Sequence, residues 1–293
     1  MNRESNSVQG PYPLLFSPFQ LGHLRLKNRL VALPVHTGFA LLDAPLMPSP
    51  VPSFNLSFNL SSLRNFIDFF PLEKRFYLTR YLLQRLVNRQ VPMTADDRKR
   101  VIHDFADAAA RAAKAGFDMV ELHGANGYLL SQFLSPFTHA SPPDASLSPE
   151  ERAAFPMAVI RAIRQNVPDT FPVGYRLMLR EWVPDGIDLE QALAFVRHLE
   201  AEHISYLSVS AGTYKSIFSP DVYREMARPG YLGKDTAELT CRTTIPTIIS
   251  GRIVTPLFAQ CLLREKAADL IGLGRPLAGR SRMDTQGKGG GTG

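Results

Sequence analysis

The chain is poor in cysteine and tryptophan and has no long apolar run. Its two cysteines, Cys241 and Cys261, are too few and too far apart for a CxxC metal or cluster site. They read as buried thiols of a reducing compartment. No apolar stretch approaches the ~18 residues of a membrane span, and the opening MNRESNSVQGPYP has no apolar signal core. A soluble, cytoplasmic protein without a membrane partner is the expectation. No G-x-G-x-x-G follows the first strand-like segment, which counts against a doubly wound open sheet, the runner-up architecture. The net charge is +6 and the isoelectric point near 9.4. Lys and Arg are nonetheless scattered among Asp and Glu, so the excess reads as a solvated surface with an anion site rather than a nucleic-acid stripe.

What is present is a regular alternation. With 293 residues and 45% hydrophobic content, a large core is affordable. Strand-like runs fall at 29–35, 118–122, 172–177, 205–210, 246–250 and 269–273. Helical segments separate most of them: from Thr94 to Gly116, 149–166, 189–202, 235–242 and 256–265. Thr94 with Asp97 suits a helix start and Gly116 a helix stop. Repeated βα units imply a parallel sheet. Polar and glycine residues gather at the strand ends: His123, Arg176, Ser210-Ala211-Gly212, Gly251-Arg252 and Gly274-Arg275. That suits a TIM-type (β/α)8 barrel, whose chemistry sits at the carboxyl ends of its strands. Residues 43–62 read as loop, 63–90 as an amphipathic helix or cap, and the Gly-rich tail as disordered.

Three constellations could carry chemistry. Ser250-Gly251-Arg252 and Gly272-Leu273-Gly274-Arg275 suit a phosphate, through close backbone N–H groups and a bidentate guanidinium. They equally suit plain turns. His123-x-x-Asn126-x-Tyr128 offers two donors for a carbonyl or phenolate oxygen and a hydroxyl proton. The bland alternative is a capping His with two turn residues. Arg176 is a cation for negative charge at a barrel mouth, or else the ion partner of Glu121. His103, His198 and His203 lie in helical stretches and read as solvated.

These residues carry a resemblance to the old yellow enzyme family of NADH:flavin oxidoreductases. Leu15-Phe16-Ser17-Pro18 through Leu26-Lys27-Asn28-Arg29, HGANGYLLSQFLSP from His123 to Pro136, and Ile248 to Leu277 are similar to the family pattern in order and spacing. The resemblance implies an FMN-binding barrel that takes hydride from NADH or NADPH and reduces an activated, enone-like alkene. By position, His123 and Asn126 would bind the substrate oxygen and Tyr128 would donate the proton. Arg176, Gly251, Arg252, Gly274 and Arg275 would contact the flavin, with Pro34, Val35 and His36 beside its ring.

Departures from the pattern are equally specific. His36 stands where the family usually has Thr or Cys. After Pro136, the positions of an N-x-R-x-D-x-Y-G-G-S motif hold His139, Ser141, Pro143, Ala145, Ser146 and Leu147, while Glu150, Arg152 and Phe155 match. Only about ten residues separate the first strand from the loop resembling Pro48 to Ser53, so strands two and three of the barrel are missing, with the glutamine that binds the flavin pyrimidine. The expectation is one FMN-binding domain over 1–280 with an insertion at 43–92, an incomplete barrel, and a tail at 281–293. A homo-oligomer is compatible with this, as is a degenerate, non-catalytic remnant.

Overall fold

The computed structural model of the chain describes residues 10–34, 93–139, 147–213, 215–216 and 219–274. The expected loop at 43–62, the helical stretch at 63–90, the tail at 281–293 and the residues Val35, His36 and Arg275 lie outside the described residues.

A short antiparallel hairpin joins β1 (Phe19–Leu21) to β2 (Leu24–Leu26). Six further strands form one sheet. They are β3 (Leu30–Ala32), β4 (Val120–Gly124), β5 (Val173–Arg180), β6 (Tyr206–Ala211), β7 (Thr247–Ile249) and β8 (Leu270–Leu273). Their order is β3-β8-β7-β6-β5-β4 and every pairing is parallel. These are the six strands expected from the sequence. Among the described residues β3 and β4 do not pair, so the sheet stays open where two more strands would close an eight-stranded barrel.

The helices between the strands are α1 (Ala95–Lys114), α2 (Leu129–Leu134), α3 (Pro149–Asn166), α4 (Leu189–Ala201), α5 (Pro220–Met226), α6 (Gly233–Arg242) and α7 (Pro256–Arg264). α1, α3 and α4 begin with reciprocal capping boxes, Thr94 with Asp97, Ser148 with Glu151 and Asp188 with Gln191. Each satisfies two backbone donors that the first turn would otherwise leave open.

The two faces of the sheet differ. Leu122, Tyr175, Leu177, Leu207, Val209, Ile249 and Ile271 belong to the large core that also holds Ile160 and Ile163 of α3 and Phe195 and Leu199 of α4. Each fully buried aliphatic side chain contributes about 1.5–3 kcal/mol. On the other face Tyr206, Ile248 and Leu270 form a small separate cluster with Leu21, against which Phe19 and Leu26 pack. The hairpin therefore plugs the inner face at its amino-terminal end. Arg29 helps to hold this end, donating to the Asp269 carbonyl at 3.0 Å and lying 4.8 Å from the Phe19 ring centroid.

The cysteines are a correction to the sequence reading. Cys241 is exposed and Cys261 half-buried. α6 buries Thr236 and Leu239, and α7 buries Pro256, Ala259, Leu262 and Leu263; both cysteines fall off those stripes. Among the described residues no helix is long and apolar enough to cross a membrane, and no group of three or more His, Cys, Asp or Glu could hold a metal ion.

Candidate active site at the carboxyl end of the sheet

Because all six strands run parallel, their carboxyl ends share one edge, and the register fixes who meets whom. His123 of β4 pairs with Arg176 of β5, which pairs with Ser208 of β6. Two residues earlier, Glu121 pairs with Gly174 and Gly174 with Tyr206. Side chains alternate along a strand, so these residues lie on the inner face, above the hairpin-capped cluster.

His123 and Arg176 were expected at strand ends. Both instead lie within their strands, because β4 runs on to Gly124 and β5 to Arg180. The apolar Leu177-Met178-Leu179 continues the ladder against β6, with a register shift near Met178. Arg176 is therefore an inner-wall residue. Its side chain is 14% exposed, its Nη1 is 4.0 Å from Glu121 Oε1, and its Nε is buried with no hydrogen-bond partner. Of the two readings offered for Arg176, the ion pair with Glu121 exists, and it leaves a donor unused.

His123 is exposed at the rim. Desolvation, with Arg176 nearby, lowers its pKa to about 4. Both effects act in the same direction, so the ring is neutral at pH 7 and can donate one N–H. The chain then turns through Asn126 and Gly127 at φ +60° and +79°, a left-handed pair that few residue types adopt readily. Asn126 Nδ2 donates to the Gly212 carbonyl at 3.1 Å, and Ser210 Oγ donates to Asn126 Oδ1 at 3.2 Å. The amide is thereby locked to the end of β6 with one N–H left over. Tyr128 closes the turn, its N–H donating to the Ala125 carbonyl at 3.2 Å. Its ring is 37% exposed, with its centroid 4.7 Å from that of His123. The structure thus brings His123, Asn126 and Tyr128 together at one opening.

At the far side of the edge, Gly251 follows β7 and Gly274 follows β8, neighbouring strands in the sheet. Gly251 has φ +107°, and an added Cβ would stand 2.7 Å from the Tyr231 ring. Arg252 has φ +50° and is exposed. Pro34 follows β3, which pairs with β8, and is also exposed. Over this edge lies an aromatic pair absent from the sequence reading. Trp182 stands 5.9 Å from Tyr231, and its ring would meet a Cβ on Gly212.

Supporting residues surround the site: Glu181 was missed, whereas Arg152 and Phe155 were among the positions matching the family pattern. Glu181 is buried; Ser135 Oγ donates to its Oε2 at 2.5 Å and the Ile187 N–H at 3.0 Å. It ties the loop after β5 to the end of α2. Arg152 Nε donates to the Leu134 carbonyl at 3.1 Å, and Phe155 stacks on Phe133 at 4.1 Å. Tyr206 and Ser208 were missed as well. The available signal was a polar residue at every second position of β4 to β6, inside strands otherwise fit for full burial.

The arrangement suits a planar, anionic or carbonyl-bearing ring. A buried guanidinium has a spare donor, neutral donors line one rim and glycine turns the other. The comparisons point the same way. The sequence pattern of the NADH:flavin oxidoreductase / NADH oxidase family matches residues 76–281, which take in β4 to β8. The chain belongs to this family, that of the old yellow enzymes. FMN and NAD(P)H are the family's cofactors. Among its relatives, an NADH oxidase of Thermoanaerobacter brockii is 36% identical over 188 residues, 63% of this chain and 28% of that protein. An NADPH dehydrogenase of Geobacillus thermodenitrificans is 34% identical over 185 residues, 63% of this chain and 52% of that protein. The chain thus spans about half or less of the length of these relatives. The solved structure of morphinone reductase in complex with tetrahydroNAD is 26% identical, with a TM-score of 0.52 over 67% of this chain and 50% of that one. The open sheet agrees with an incomplete version of the family's (β/α)8 barrel.

Proposed function

We propose that this chain is an FMN-dependent oxidoreductase that takes hydride from NAD(P)H and reduces a small alkene conjugated to a carbonyl, in the cytoplasm. Residues 1–280 would form the single flavin domain, with 43–92 as an insertion. The observation that carries the reading is the convergence of His123, Asn126 and Tyr128 on one opening, with Arg176 on the neighbouring strand. The chemistry supplied by bound FMN is hydride relay from NAD(P)H to the alkene.

The chain's own residues divide the remaining work. Arg176 would hold the pyrimidine edge of the flavin. Gly251, Arg252, Gly274 and Arg275 would hold its phosphate, and Pro34, Val35 and His36 would flank its ring. Neutral His123 and the free N–H of Asn126 would donate to the substrate oxygen, and donors of this kind stabilise negative charge developing there. Tyr128 would give its hydroxyl proton to the carbon that does not receive hydride. Loaded with FMN under anaerobic conditions, the protein should lose its flavin colour on adding NADPH and regain it on adding an enone. A bound flavin that neither reagent changes would sink the reading.

Among the described residues β3 and β4 each keep an unpaired edge, which favours a second reading, a barrel remnant without catalysis. It requires that FMN be refused or held inert.

A further inference from the structure

Below the rim lies a buried polar cluster that the proposed catalytic roles leave unexplained. Glu121, Arg176, Tyr206 and Ser208 occupy adjacent inner-face positions of three strands. The side chains of Glu121 and Arg176 are 20% and 14% exposed, and Tyr206 is 5% exposed. Ser208 Oγ, like Arg176 Nε, is buried without a hydrogen-bond partner.

Gly174 explains how the cluster forms. It sits in register between Glu121 and Tyr206, and a Cβ there would fall 2.1 Å from Tyr206 Cζ. The tyrosine ring therefore lies across the β5 backbone, on the side of Glu121 on β4. Burial raises the Glu121 pKa, while Arg176 and, after it, the neighbouring Tyr206 and Ser208 hydroxyls oppose that rise. The tyrosine's own pKa is raised by its burial and by the carboxylate, which keeps it a donor.

We infer that Glu121, in register with Tyr206 across Gly174, is a positioning residue that partly neutralises Arg176 and so sets how much positive potential the inner wall presents to the flavin. The inference rests on the reading of Arg176 as a flavin contact. A carboxylate 4.0 Å from the guanidinium cancels much of its field at longer range. The pair then offers directed N–H groups with little net charge. Removing the carboxylate would unmask the cation.

Sulfite is a suitable probe. Its sulfur lone pair forms a bond to oxidised flavin N5, and the displaced electron pair leaves a negative charge toward N1 and O2, the atoms a cation would favour. Sulfite titrations of the FMN-loaded wild type and Glu121→Gln, followed by loss of flavin absorbance, test the inference. Glu121→Gln should bind sulfite roughly tenfold tighter. Tyr206→Phe removes one hydroxyl that opposes the rise of the Glu121 pKa, and should shift affinity the same way by a smaller factor. Unchanged or weaker sulfite binding in Glu121→Gln overturns the inference, as it does in Tyr206→Phe where Glu121→Gln fails to fold. A wild type that takes up no FMN overturns the functional reading itself, and this inference with it. FMN uptake without the sulfite shift overturns the inference alone.

Discussion

The two faces of the parallel sheet are made by the same strands and do opposite things. Toward the helices, β4 to β8 present Leu122, Tyr175, Leu177, Leu207, Val209, Ile249 and Ile271, all in one core. Toward the interior, β4 to β6 present Glu121, His123, Arg176, Tyr206 and Ser208. Each face contains a tyrosine lying against a glycine: Tyr175 against Gly124 outside, Tyr206 against Gly174 inside. The outer tyrosine fills volume, and its hydroxyl is buried without a partner. The inner one lies on the side of the Glu121 carboxylate, which helps to raise its pKa. A tyrosine over a glycine, diagonal to it outside and directly opposite it inside, thus serves packing on one side and a polar site on the other.

The largest effect that would separate the faces is on catalysis. Tyr128→Phe should slow the alkene half-reaction by about 10²–10⁴ and leave flavin reduction by NADPH unchanged, as stopped-flow absorbance would show. Equal slowing of both half-reactions would remove Tyr128 from the donor role.

Next come the two glycines. Gly124→Ala and Gly174→Ala each place a Cβ 2.1 Å from a tyrosine ring atom, and each should cost about 3 kcal/mol in urea unfolding. Only Gly174→Ala should also change FMN affinity per folded molecule, because only the inner ring belongs to the site. An equal change in both variants would mean that the faces are not separable.

The smallest effect concerns pH. The unfolded His123 imidazole takes up a proton near pH 6.5 and the folded one near pH 4. The folded pKa is the lower, so this contribution to stability is present above 6.5 and is lost as pH falls toward 4. NMR titration of the ring should give an inflection below pH 5, and His123→Asn should lose that part of the acid sensitivity. An inflection near 6.5 would mean that Arg176 and desolvation do not act on the ring.

Much of this was legible in the sequence because parallel strands buried on the helix side read as short apolar runs. All six sheet strands and five of the helices were found that way, as were Thr94 and Asp97 as a cap. The HGANGY turn was legible because its polar residues break the apolar pattern. What was missed has physical reasons. β1 and β2 are three residues each, too short to show a period. The strand ends were misplaced at His123 and Arg176 because polar residues were taken as stops, whereas an inner-facing polar residue can sit mid-strand. Tyr206 and Glu121 could not be joined without knowing that Gly174 lies between them in register. The expected insertion and tail fall outside the described residues, among which the open edges at β3 and β4 agree with the expectation that strands two and three are missing.

The central claim is that the polar inner face holds a flavin. Titrating the purified chain with FMN while following quenching of flavin fluorescence tests it most directly. A saturable signal at one FMN per chain, weakened in Arg176→Met, is the predicted result. A wild type that leaves FMN fluorescence unchanged would contradict the claim.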